Sequence, residues 1–318
     1  MATQSDIRDR ISSVKNVKQI TRAMEMVAAA RLRKAEQRIE ALRPYADAIR
    51  RMTRRAVEAA DKVPDLPILE EHDSIDRVGV LLLTGDRGLA GAFNSQIIRN
   101  GNRRGRELER EGQTPIWYAI GSRGASSLSF RGMEPQGTWT GFTDRPSYAD
   151  ARRVAQELIS AYTDGELDRV EMYYNGFISA MRQEVSHVTL LPLQQADFLG
   201  GGDDEDDEDG EENEGGEGRS SDSSDSESVD HSRSLWIYEP DPGEILRQLA
   251  PDYVEISIYR AMLESTASEH GARMTAMRSA SDNASEMIDD LELQANRERQ
   301  AEITQEIMEV VSGAEALA

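Results

Sequence analysis

The residues best placed to do chemistry form one cluster, Gly85-Asp86-Arg87-Gly88-Leu89-Ala90-Gly91-Ala92-Phe93-Asn94, directly after an apolar run and before a helical stretch. Glycines at such a junction let backbone amides approach a phosphate, and the helix N-terminus that follows favours negative charge. The rest of that chemistry is missing. No Gly-Lys-Ser/Thr completes a P-loop, the spacing is not Gly-x-Gly-x-x-Gly, and no acidic residue is placed to hold a ribose. Gly85, Gly88 and Gly91 therefore read as a tight structural turn, with close packing of strand on helix, in preference to a nucleotide site. His72, His187, His231 and His270 lie far apart without a His-x-x-x-His pair, and no cysteine could complete a metal centre. The absence of cysteine also excludes a disulfide, a thiolate nucleophile and a thiol switch. Glu264, Glu269, Asp289, Asp290 and Glu292 fall in a helical pattern, where charge is more often solvated or partner-facing than catalytic. No catalytic residue, cofactor or metal is expected.

The elements that carry these residues are of two kinds. Ile7, Ile11, Val14, Ala28, Leu32, Ala35, Ile39, Leu42, Ala46 and Ile49, bridged by Ile20, Met24 and Val27, recur at helical spacing. They predict one long helix over 1–62, capped by Thr3 or Ser5 and ended by Pro64 and Pro67. The middle alternates predicted strands (77–84, 115–120, 169–174, 184–193, 235–238) with predicted helices (94–111, 148–163). That alternation implies a small, mainly parallel sheet with helices against it, a Rossmann-like domain over 75–240. Residues 200–234 interrupt it with Asp, Glu, Gly and Ser and almost nothing apolar, so a disordered loop is expected there. After Pro240 and Pro242 a helical pattern begins, is expected to break at Pro251, and runs on from Asp252 for about 95 Å at 1.5 Å per residue. No single core covers a helix that long. Its stripe of Val254, Ile258, Met262, Met274, Met277, Ala284, Ile288, Leu291, Ala295, Ile303, Ile307, Val310 and Ala314 suits pairing with the N-terminal helix. The expected fold is α/β with long terminal helices: an antiparallel coiled coil of 1–62 with 243–318, plus the Rossmann-like domain. Met24, Met26, Met262, Met274 and Met277 read first as adaptable core packing.

The net charge of −22 over 318 residues argues against nucleic acid as a partner, because phosphate tracking needs a basic surface. Its distribution is uneven. Residues 203–230 hold fifteen Asp or Glu and one Arg, net −14, leaving −8 for the rest of the chain. The first helical segment, by contrast, is a cationic rod carrying Arg22, Arg31, Arg33, Lys34 and Arg38 among others, and it invites an acidic partner. Four lysines against 33 arginines, with acid beyond the loop as well, favour reading the acidic segment as a solvating device for a salty cytoplasm over a flexible acidic interaction tail. No run approaches the roughly 20 apolar residues of a membrane span. Met1 to Arg10 has no apolar signal core. A cytosolic protein meeting a membrane only through partners is expected.

At both ends the residues go beyond pattern. The stretch IRDRISSVKNVKQITRAMEMVAAARLR at 7–33, the 85–94 turn, and ASEHGARMTAMRSASDNASEMIDDLELQANRERQAEITQEIMEVVSGAEAL in the tail closely resemble the gamma subunits of F-type ATP synthases. The resemblance spans nearly everything outside the acidic loop. It implies a non-catalytic central rotor shaft whose paired helices enter a hexamer of α and β subunits. The globular foot would meet an epsilon subunit and a membrane ring of c subunits, at the cytoplasmic face of the plasma (inner) membrane. By motif match, Arg22, Met24, Arg31, Arg33 and Lys34 would face the acidic lever loop of β, and Arg299, Gln300, Thr304 and Glu309 its catch loop. Ala90 and Ala92 depart from the family pattern, in which a cysteine and a glycine are common there. The acidic insert lies near where chloroplast members carry a redox insert, but without cysteine it cannot work that way. The rival readings are a coiled-coil scaffold with an α/β ligand-binding domain, and a nucleotide-dependent enzyme using the Gly85 turn.

Overall fold

The computed structural model describes residues 4–59, 66–72, 74–193 and 242–316. In chain order the elements are α1 (Gln4–Ala59), β1 (Arg77–Leu83), α2 (Phe93–Arg110), β2 (Thr114–Ile120), α3 (Ser122–Phe130), β3 (Gly137–Trp139), α4 (Tyr148–Thr163), β4 (Arg169–Phe177), β5 (Gln183–Leu191) and α5 (Pro242–Ala316). The acidic stretch 200–234 and the strand expected at 235–238 lie outside the described residues.

β1 is a near-continuous apolar run because helices cover both faces of the sheet, the condition that parallel strands need. The strand order is β3-β2-β1-β4-β5. β1 pairs in parallel with β2 and β4, β2 in parallel with β3, and only the edge strand β5 runs antiparallel to β4. Alternate residues of β1 feed two cores. Val78, Val80 and Leu82 pack with Phe93, Ile97 and Leu108 of α2. Leu81 and Leu83 pack with Val154 and Leu158 of α4 and with Leu246, Val254, Ile258 and Met262 of α5. The start of α4 is fixed by a reciprocal cap: Ser147 Oγ accepts from the Asp150 amide, and the Asp150 carboxylate accepts from the Ser147 amide.

The two terminal helices pair antiparallel. Lys15 meets Glu292 at 3.0 Å, Glu25 meets Arg278 at 2.9 Å, Leu32 and Ala35 pack on Ala267, and Ile49 packs on Leu249 and Ile256, so one chain retreats as the other advances. At 56 and 75 residues the helices are about 84 and 112 Å long. The last third of α5 thus stands clear of the α/β body.

Three features differ from expectation. Pro251 does not break the C-terminal helix, which runs unbroken from Pro242. Leu246, Ala250 and Val254 around it are completely buried, and that packing outweighs the one backbone bond the ring removes. The short helix α3 and the three-residue strand β3 are the other two. SRGASSLSF has too few apolar residues to show a period, and GTW is too short to alternate.

Candidate functional site

In a doubly wound sheet the ligand crevice lies beyond the carboxyl ends of the strands, where connections leave to opposite faces. Here that place follows β1 and β4, and α5 fills it. The Glu269 carboxylate lies where a Cβ on Gly85 would meet it at 2.8 Å, Ser268 Oγ donates to the Asn175 carbonyl at 3.0 Å, and Thr266 Oγ1 donates to the Thr143 carbonyl at 2.9 Å. Residue 85 must be glycine because a side chain would displace the buried Glu269. Burial pushes the Glu269 carboxyl up, with Arg273, bonded to it at 2.5 Å, pulling the other way.

The first two amides of the turn are already used. The Gly85 amide donates to Asn94 Oδ1 at 2.8 Å, and the Asp86 amide to Thr143 Oγ1 at 3.0 Å. The Asp86 carboxylate accepts from the Ser122 amide at 2.9 Å, the Gly141 amide at 2.8 Å and Thr143 Oγ1 at 3.0 Å. Gly88 offers its carbonyl to Arg273 at 3.2 Å, and Gly91 has the left-handed φ of +54° that completes the turn. Two carboxylates, Asp86 and Glu269, stand where a phosphate would sit. Through Gly85 against Glu269 and Gly88 against Arg273, the turn seats the long C-terminal helix on the sheet.

The sequence-predicted contact residues fall into two groups. Arg22, Arg33 and Lys34 are exposed on α1, while Met24 and Arg31 are half-buried. Arg31 Nη1 donates to both oxygens of Asp144, at 2.7 and 2.5 Å, and so ties α1 to the loop after β3. Beneath this pair lies His270, 1% exposed, with Nε2 at 3.6 Å from Asp144. Arg273 has no lone pair to offer, so its 3.3 Å contact with His270 Nδ1 is a donation to the ring. The proton of the neutral imidazole then sits on Nε2, facing Asp144. Burial pulls this imidazole down to about 4, Asp144 opposing and Arg273, Arg31 and Arg87 adding to the effect. Val17, Ile20, Met26 and Val27 are also exposed on α1, so the cationic rod carries apolar surface that nothing among the described residues covers.

Arg299, Gln300 and Thr304 are exposed near the end of α5, and Glu309 belongs to the same last turns. The helical register places this group roughly 38 Å or more beyond the part of α5 that packs on Arg31 and Leu32. The structure does not bring the two groups together. Every described side chain from Ala301 to Met308 is exposed, including Ile303 at 48%, Ile307 at 57% and Met308 at 62%. Sequence reasoning set Glu269 aside as non-catalytic and His270 as no metal ligand, named Asp86 only as part of the glycine turn, and gave no role to Asp144 or Arg273. Asp86 and Asp144 find their partners 36 or more residues away, and Arg273 reaches the Gly88 carbonyl 185 residues away, which no local spacing shows; the Glu269–Arg273 pair, four residues apart on one helix, was open to a local reading. Among the described residues no group of three or more metal-ligating side chains converges.

Against known proteins, a family model described as ATP synthase matches residues 3–317. The ATP synthase gamma chain of Moorella thermoacetica is 40% identical over 317 residues, covering 100% of both chains. That of Streptomyces coelicolor is 43% identical over 317 residues, covering 97% of this chain and 94% of the other. Two solved structures share the fold. A chain of the Euglena gracilis mitochondrial ATP synthase (OSCP/F1/c-ring, rotational state 3) has a TM-score of 0.63 at 18% identity, covering 99% of this chain and 94% of that one. A chain of the Tetrahymena thermophila mitochondrial ATP synthase (central stalk/c-ring) has a TM-score of 0.56 at 23% identity, covering 82% and 99%. A match over essentially the full length, on a fold whose ligand crevice is filled by its own helix, means that the chain belongs to the ATP synthase gamma chain family, stalk subunits rather than catalytic ones.

Proposed function

We propose that this chain is the central rotor shaft of a proton- or sodium-translocating F-type ATP synthase, carrying torque between a membrane ring of c subunits and the catalytic β subunits. The observation that carries this reading is the end of α5. It runs on past the start of α1 as a single helix with Ile303, Ile307 and Met308 exposed, apolar surface suited to a surrounding sleeve of partner protein. The cationic face of Arg22, Arg31, Arg33 and Lys34 with Met24, about six to ten turns lower on the shaft, meets the acidic lever loops of β in this reading. Arg299, Gln300, Thr304 and Glu309 meet the catch loop. The α/β body is the foot for the epsilon subunit and the c-ring.

A shaft acts by interacting differently with alternative conformations of its partners, and an asymmetric one can therefore force each catalytic site through different nucleotide affinities in turn. The same contacts let it restrain ATP hydrolysis and ion flow. No described helix is long and apolar enough to cross a membrane, so attachment at the cytoplasmic face of the plasma membrane runs through the ring. The test is an affinity pull-down of this chain from its native membranes, assayed for α and β subunits and ATPase activity. Recovery of an active hexamer with one copy of this chain per three αβ pairs is the expected result. A lone chain, or an unrelated partner, would return the scaffold reading.

A further inference from the structure

A cleft of about 430 Å³ lies between α1 and the loop after β3, with α5 beneath it, in the size range of small-ligand sites. Arg31, Lys34 and Arg38 follow one another at three- and four-residue steps and so share one face of α1. All three line the cleft, and Arg145 joins them from the loop. Only Arg31 is neutralised, by Asp144. Among the described residues no carboxylate pairs with Lys34, Arg38 or Arg145. His270 also lines the cleft but is uncharged near neutral pH. Three uncompensated cations therefore share one concavity in a chain whose net charge is −22.

We propose that this cleft binds an oligophosphate anion, pyrophosphate or the phosphate chain of a nucleotide, through Lys34, Arg38 and Arg145, with Arg31 engaged by Asp144 beside them. Guanidinium forks match phosphate oxygens two at a time, while lysine supplies a compact charge that adjusts to them. The concavity favours a compact, multiply charged ligand. An extended acidic peptide spreads its same-side carboxylates about 7 Å apart along the strand and would lay most of them outside the cleft. Asp144 limits affinity, because its carboxylate both occupies Arg31 and repels the ligand. This site does not depend on assembly with other subunits. Its cations include Arg31 and Lys34, so ligand and acidic partner surface would compete for them.

The experiment is calorimetric titration of the full-length chain with inorganic pyrophosphate at low ionic strength, with folding of each variant checked by circular dichroism. Saturable binding at one site is expected. The double variant Lys34→Gln/Arg38→Gln should weaken it at least tenfold, and Asp144→Asn should tighten it several-fold. Arg8→Gln/Arg10→Gln, which removes the same charge from an exposed part of α1, should leave it unchanged. ATP in place of pyrophosphate identifies the source: equal affinity assigns the inorganic chain, tighter binding a nucleotide. Absence of saturable binding, equal weakening by the remote double variant, or binding of an oligo-aspartate peptide without binding of pyrophosphate would each overturn the proposal.

Discussion

His270 is held neutral by burial between Asp144 and Arg273, and this makes it the residue through which acid should loosen the shaft. The folded chain titrates it near 4 and the unfolded chain near 6.5. Between those values the unfolded state takes up a proton that the folded state refuses, so stability is full above pH 6.5 and falls as pH drops towards 4. The loss amounts to up to about 3 kcal/mol. Glu171 behaves differently. Burial would raise its carboxyl, but hydrogen bonds and charge from His187 and Arg104 bring it down to about 2, and its stabilising contribution, present above pH 4.5, is lost only below that range. In a His270→Gln variant, urea unfolding from pH 7 to 4.5 should therefore show a clearly flatter decline than the parent. An unchanged slope would place the acid sensitivity elsewhere. None of this was legible in the sequence, where His270 is one of four scattered histidines. The charge of a histidine is set by what encloses it, and Asp144 lies 126 residues away.

At the scale of elements, proline shows how far packing overrides local preference. Pro251 sits among completely buried neighbours and is carried through by them. Pro44 lies inside α1 with its own side chain exposed, so nothing comparable offsets the bond it withholds from the Glu40 carbonyl. Replacing Pro44 by Ala should raise unfolding stability by about 2 kcal/mol, the helix-interior cost less the entropy that proline removes from the unfolded chain. A urea midpoint that falls instead would mean that proline at position 44 is needed to keep α1 on the body. The elements were mostly legible. The helix at 148–163 was placed to the residue, and the strands of β1, β2 and β4 were found within a few residues, because each buries a regular apolar face. α3 and β3 were not legible, since neither buries enough of itself to leave a pattern. The antiparallel course of β5 is a matter of pairing with β4 and leaves no local mark.

At the scale of the molecule, one long helix serves two environments, and its surface changes accordingly. Up to Leu291, α5 buries a residue on nearly every turn against α1 or the sheet. Past Gln300 that cover ends: from Ala301 to Met308 every described side chain is exposed, yet three of them are large and apolar. Exposed apolar surface adds little to the stability of the free chain and contributes only when a partner removes it from water. A chain ending at Glu302 should therefore unfold within about 2 °C of the full-length chain, since a small change in unfolding free energy shifts Tm by only a few degrees in a protein of this size. The same truncation should shorten the lifetime of the shaft within an αβ hexamer, read as faster loss of the chain from purified complex on dilution. Charge substitutions low on the shaft, at Arg33 or Lys34, should instead act through salt-sensitive contacts and leave the hold on the last turns of α5 intact. Equal retention of truncated and full-length chains would locate the grip of the hexamer on the lower, cationic part of α1. Marked destabilisation of the free truncated chain would show that the last turns belong to the fold itself.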